Sequence, residues 1–149
     1  MRKVKAEGKR DFRHYISLTN LYNIKLKRLA ISCNMSAAEL SYLCLCCILH
    51  NPQFVSSFIQ YLETVKNVKR KVGHGQARVA KHFLSLDQEL NDHLIEAAWK
   101  VGIKPATFHY FALSFCLDSP SFINFMQDEF NTNDDYRIVP IIENGAVLY

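Results

Sequence analysis

The chain has 149 residues, of which 49% are hydrophobic and 21% charged, with a formal net charge of +4. That composition suits one domain with a buried core and excludes a disordered chain, and no run of about 20 apolar residues is present to span a membrane. The charge is unevenly placed: residues 1–81 hold 15 Lys/Arg against 4 Asp/Glu, whereas residues 82–149 hold 3 against 10. Basic blocks of this kind are commonly contacts to nucleic acid.

Residues 1–12 form a basic arm. The opening "MRKVKAEGKRDFRH" has no apolar segment behind it, so it does not read as a secretory signal and a cytoplasmic protein is expected. From Arg13 the string "RHYISL" alternates, which predicts a short strand. Ile16 and Leu18 share one face with His14 at its open end, and Arg13, Tyr15 and Ser17 share the other. A helix follows, with Thr19 as cap and an apolar stripe at Tyr22, Leu26, Leu29/Ala30 and Cys33. Asn34 tolerates the left-handed conformation that ends it. Ser36, with Glu39 three residues on, has the capping-box pattern and opens a second helix. Its "LSYLCLCCIL" is apolar nearly all round and belongs at the centre of a core. Asn51-Pro52 starts a third helical stretch, expected to end near Lys66. The run "KNVKRKVGHGQARVAK" then contains no acidic residue, and residues 67–80 read as a basic linker.

The pattern then starts again. Shifting the chain by 68 residues gives 12 identities over the 50 positions from Arg13 to Leu62, with no gap, among them His14/His82, Ser17/Ser85, Tyr42/Tyr110 and Phe54/Phe122. This is an internal repeat. The second copy spans residues 81–130 and the first 13–66. In the second copy "KHFLSL" is the strand, with Lys81, Phe83 and Ser85 on the outer face. Asp87 caps a helix whose stripe is Leu90, Leu94, Ala97/Ala98 and Val101, and Gly102 stands where Asn34 stood. Pro105 takes the first position of the next helix, and Ser119-Pro120 begins the third. A unit of about 50 residues buries too little surface to be stable alone, so the two copies are expected to share one core. Residues 131–149 have no helical period and read as an extended acidic-apolar tail.

The five cysteines, Cys33, Cys44, Cys46, Cys47 and Cys116, mostly fall in apolar helical stretches and read as buried reduced thiols. "CLCC" has no matching Cys/His pair at finger-like spacing, so no metal and no other cofactor is expected. The six histidines are scattered, with no His-Glu-x-x-His, no phosphate loop and no nucleophile elbow, which argues against an enzyme.

Strand, amphipathic helix, Gly/Asn turn and all-apolar helix together resemble the ribbon-helix-helix family of DNA-binding proteins. The resemblance covers both repeats and implies a mainly α fold with a two-stranded antiparallel ribbon, a tandem pseudo-dimer in one chain. It implies that the ribbon enters the major groove of double-stranded DNA and that the base-reading positions are Arg13, Tyr15, Ser17, Lys81, Phe83 and Ser85. Phe83, limited to apolar contact such as a thymine methyl, departs from the usual polar residue. It implies phosphate contacts at the N-terminus of each second helix, at Ser36 and Lys104. Linker residues Lys69, Arg70, Lys71 and Arg78 would add contacts to the DNA backbone through charge alone. Two unlike strands would read a non-palindromic site. Among tandem members the chain is most similar to the TraY relaxosome accessory proteins of conjugative plasmids. The likeness rests on "SLDQELNDHLIEAAWKVG" and on "NPQF" and "SPSF" after the central helices. It implies a role at an origin of transfer, with a relaxase or coupling protein as partner of the C-terminal tail and multimers on DNA left open. VirC2-like tandem proteins are also compatible. A repressor or plasmid-partition protein of the same fold, and a module that binds protein instead of DNA, stand as alternatives.

Overall fold

The computed structural model describes residues 10–72, 78–132 and 135–149. Each half of the chain runs strand, helix, helix, helix. The first half is β1 (Phe12–Thr19), α1 (Asn20–Ser32), α2 (Ala37–His50) and α3 (Pro52–Val72). The second is β2 (Arg78–Leu86), α4 (Gln88–Val101), α5 (Pro105–Leu117) and α6 (Pro120–Phe130). A hairpin of β3 (Ile141–Glu143) and β4 (Ala146–Leu148) closes the chain. The fold is mainly helical, with a two-stranded antiparallel sheet joining the starts of the two halves.

The boundaries follow from local chemistry. Thr19 accepts from the Tyr22 amide, Ser36 from Glu39 and Asp87 from Leu90, so each side chain satisfies an amide that the helix cannot. The capping box at Ser36 is only half made. The Glu39 carboxylate turns away to Arg10, 2.6 Å from its Nη1, because that guanidinium offers a charged partner. Asn34 (φ 57°) and Gly102 (φ 75°) both end their helices in the left-handed region. The amides that follow, Met35 and Ile103, reach back to the Ala30 and Ala98 carbonyls. Pro52, Pro105 and Pro120 each open a helix, where a missing N–H costs nothing.

One hydrophobic core runs through both halves. Its centre is α2 against α5, where Leu40, Cys44, Leu45, Ala112, Leu113 and Leu117 are all fully buried. The strands are exchanged: β1 lies on α5 and β2 on α2. Tyr42 of α2 accordingly donates its hydroxyl to Asp87, at the end of β2, at 2.6 Å. This exchange is why neither half could fold as drawn without the other.

Two expectations need correction. The third helix, expected to end near Lys66, continues to Val72, and β2 starts at Arg78, while residues 73–77 of the expected linker at 67–80 lie outside the described residues. The C-terminal segment is not simply extended. A two-residue turn at Asn144 (φ 53°) and Gly145 (φ 80°) folds it into the β3–β4 hairpin. Val147 is buried, the Tyr149 hydroxyl donates to the Leu117 carbonyl at 2.7 Å, and Gln127 holds both polar groups of Ile138 at 2.7 and 2.8 Å. Gln127 also accepts from the buried Ser32 hydroxyl of α1, so the segment after α6 is tied to the first half as well. Among the described residues no single helix is long and apolar enough to cross a membrane.

Candidate nucleic-acid interface

The sheet buries one face and offers the other. Ile16, Leu18, Leu84 and Leu86 point into the core, each under a tenth exposed. Alternation then sends Arg13, Tyr15, Ser17, Lys81, Phe83 and Ser85 to the opposite side, and the register brings all six together. They form three cross-strand rows: Arg13 beside Ser85, Tyr15 beside Phe83, and Ser17 beside Lys81. The 68-residue shift maps the row Arg13–Ser85 onto Lys81–Ser17 and the row Tyr15–Phe83 onto itself. A local pseudo-two-fold axis therefore passes through the aromatic row.

Arg13 and Lys81 are exposed, and Ser17 and Ser85 are half-buried. Tyr15 is 52% and Phe83 58% exposed, with ring centroids 5.8 Å apart, and the Lys81 ammonium stands 5.5 Å from the Tyr15 ring. The outer face is thus an aromatic centre, its two rings tilted by 44°, with a cation and a hydroxyl at each end.

The histidines of the strands have structural partners. His82 is 2.6 Å from the Asn23 amide oxygen. His14 stacks on His109 of α5, rings parallel within 5° and 4.9 Å apart. His109 is fully buried and donates from Nε2 to the Ser41 carbonyl at 3.1 Å. Burial, then the neighbouring His14, pushes its pKa down to about 3. Burial lowers His14 as well, and lowers His82 with the help of Lys27.

Of the residues expected at phosphates, Ser36 and Lys104 are the N-caps of α2 and α5. The Ser36 hydroxyl is engaged with the Glu39 amide, while Lys104 is exposed. Lys69, Arg70 and Lys71 lie on the last turns of α3, and their side chains lie outside the described residues. Arg78 is not a linker residue: it begins β2 and lays its guanidinium over the Tyr110 ring, 3.9 Å from the centroid. Arg10 does the same over Tyr42, at 3.7 Å. The same 68-residue shift relates Arg10 to Arg78 and Tyr42 to Tyr110. Arg10 lies three residues before the ungapped match that starts at Arg13, so the repeat alone does not single it out.

The cysteines line the core around α2, and burial pushes the thiols of Cys33, Cys46 and Cys47 up to about 12. Among the described residues no group of three or more His, Cys, Asp or Glu gathers around a common point. No protein-family model, no curated protein and no solved structure matches this chain.

Proposed function

We propose that the chain is a tandem ribbon-helix-helix pseudo-dimer that binds double-stranded DNA, laying the outer face of the β1–β2 ribbon in the major groove. The observation that supports this most is the register. The two outer cross-strand rows map onto each other under the repeat and the middle row onto itself, so the ribbon has the pseudo-symmetry of two matched readers, and its buried face leaves only the groove-facing face to carry chemistry. A two-stranded ribbon fits the width of the major groove. Arg13 and Lys81 stand where they can pair with guanine O6 and N7, Ser17 and Ser85 bond either partner type, and Tyr15 and Phe83 meet apolar base edges such as thymine methyl groups. Arg10 and Arg78, held on tyrosine rings at the two ends of the ribbon, belong beside phosphates together with Lys104.

Because Arg13 faces Ser85 where Lys81 faces Ser17, the two half-sites are read by different cations, and the bound complex has a direction on DNA. A directional site suits an origin of transfer, which is the role implied by the likeness to TraY proteins: a relaxosome accessory protein, with the hairpin after α6 as its contact to a relaxase or coupling protein. A repressor or partition protein would use the same interface at a promoter or centromere-like site.

The test is selection of random duplexes by the purified protein at about 150 mM salt, where much of the electrostatic background is suppressed. A non-palindromic motif should be enriched. Arg13→Ala and Lys81→Ala should each relax one half of it, at about 1–3 kcal/mol per lost bidentate contact. No binding even near 50 mM salt, where backbone contacts are strongest, refutes the DNA reading and leaves a protein-interaction module.

A further inference from the structure

The outward faces of α1 and α4 are unlike, and they are complementary. On α1, Leu21, Ile24 and Ile31 are 50%, 40% and 61% exposed. Helical spacing puts them on one arc with the exposed cations Lys27 and Arg28, and no acidic residue of α1 interrupts it; Asp135, after α6, lines a pocket with Arg28 at its edge and leaves Lys27 as the cation nearer the middle. On α4, Ile95 and Trp99 are 48% and 80% exposed and share an arc with Glu89, Asp92 and Glu96. Lys100 is the one cation at its edge, 3.1 Å from Glu96. Ile31 and Trp99 occupy the same position in the two repeats. Single exposed apolar residues are ordinary, but here five fall on two repeat-related helices, each set framed by one sign of charge.

We propose that these faces dock on each other between copies, the basic apolar face of α1 on one molecule against the acidic apolar face of α4 on the next. A molecule cannot satisfy the pair itself, because both faces are exposed in the same chain. Two α1 faces would bring like cations together and two α4 faces like anions, so charge selects the unlike pairing. That contact is heterologous. Each added copy leaves one α1 and one α4 free, and the assembly grows as a polar row instead of closing at a dimer. The contact requires no nucleic acid, so it stands apart from the DNA reading. On DNA it would give a row of molecules all facing one way.

The experiment is sedimentation velocity of the full chain without DNA, as a concentration series near 50 mM and near 500 mM salt, with Trp99 emission read alongside. Trp99 is the single tryptophan, so its spectrum reports this face alone. Expected is open-ended association that weakens at the higher salt, accompanied by a blue shift as Trp99 leaves water. Lys27→Glu/Arg28→Glu should be monomeric, and so should Glu89→Lys/Asp92→Lys. Mixing the two variants should restore association, because each then supplies the face the other needs. Circular dichroism confirms that both variants are folded. A wild type that stays monomeric with unmoved emission at its solubility limit overturns the proposal. So does association that survives either reversal, or a mixture that stays monomeric; the last two place the contact, or another protein partner, elsewhere.

Discussion

His109 should make the stability of this fold fall more steeply on acidification than its carboxylates alone would. Its ring is fully buried, its Nε2–H is committed to the Ser41 carbonyl, and a second imidazole lies flat against it. Protonation would place a charge in this buried site, beside the second imidazole. The folded pKa, about 3, lies below the ordinary 6.5, so the unfolded chain binds the extra proton first. Stability is therefore fully present above 6.5 and is lost as the pH falls toward 3. Near pH 4.5, two pH units below the unfolded value, the loss is about 2.7 kcal/mol. That is a large fraction of the roughly 5–15 kcal/mol that holds a domain together. His14 and His82 are displaced in the same direction and add to the slope. Urea unfolding at pH 7 and near pH 4.5 measures it. His109→Gln keeps a donor for the Ser41 carbonyl but cannot titrate, so its loss over the same interval should be smaller by about that 2.7 kcal/mol. If wild type and His109→Gln lose stability in parallel, the buried histidine is not the source and the reasoning fails.

Three further outcomes can be measured by chemical denaturation. Leu113→Ala, at a fully buried position at the centre of α5, should cost about 2–5 kcal/mol through lost burial and the cavity left behind. Asp87→Ala removes both the cap of α4 and the acceptor for the Tyr42 hydroxyl, for about 1–3 kcal/mol, and should also expose Tyr42 to quenchers. At Gly102 an added Cβ meets nothing within 4 Å, so Gly102→Ala should cost only the left-handed backbone penalty of about 1–2 kcal/mol, with no change in the m-value.

The sequence made some of these features plain and concealed others for physical reasons. Alternation in "KHFLSL" was enough to assign the faces of β2, because a one-residue slip would have put Leu84 and Leu86 in water. Caps at Thr19, Ser36 and Asp87 and the left-handed stops at Asn34 and Gly102 were legible because each residue type has one strong local preference. The end of α3 is hard to read because a run of basic residues looks like a linker, although Lys and Arg are good helix formers. Val65, Val68 and Val72 keep a helical spacing through that stretch, and the better stop was the glycine pair beyond it. The terminal hairpin was signalled only by "NG", since strands of three residues are too short to show alternation. His109 could not be found from the repeat at all. It aligns with Ser41, and nothing in either residue alone says that the two meet.

That mismatch explains what joining the two copies in one chain makes available. In a dimer of identical chains the position held by Ser41 and His109 would carry the same residue twice. With one of each, the His109 ring donates to the Ser41 backbone carbonyl, a contact that two identical residues would have to make twice or not at all. The same freedom lets α1 be basic where α4 is acidic, and lets Arg13 stand opposite a serine where Lys81 does. Residues that a symmetric pair must keep alike have diverged at the crossing of the central helices, on the outer helices and on the ribbon. The positions that stayed alike are mostly core and turn positions, such as Leu18/Leu86, Leu26/Leu94, Leu45/Leu113 and Phe54/Phe122, where both copies meet the same packing demand. Divergence thus extends to places where an asymmetric molecule can do what a symmetric one cannot.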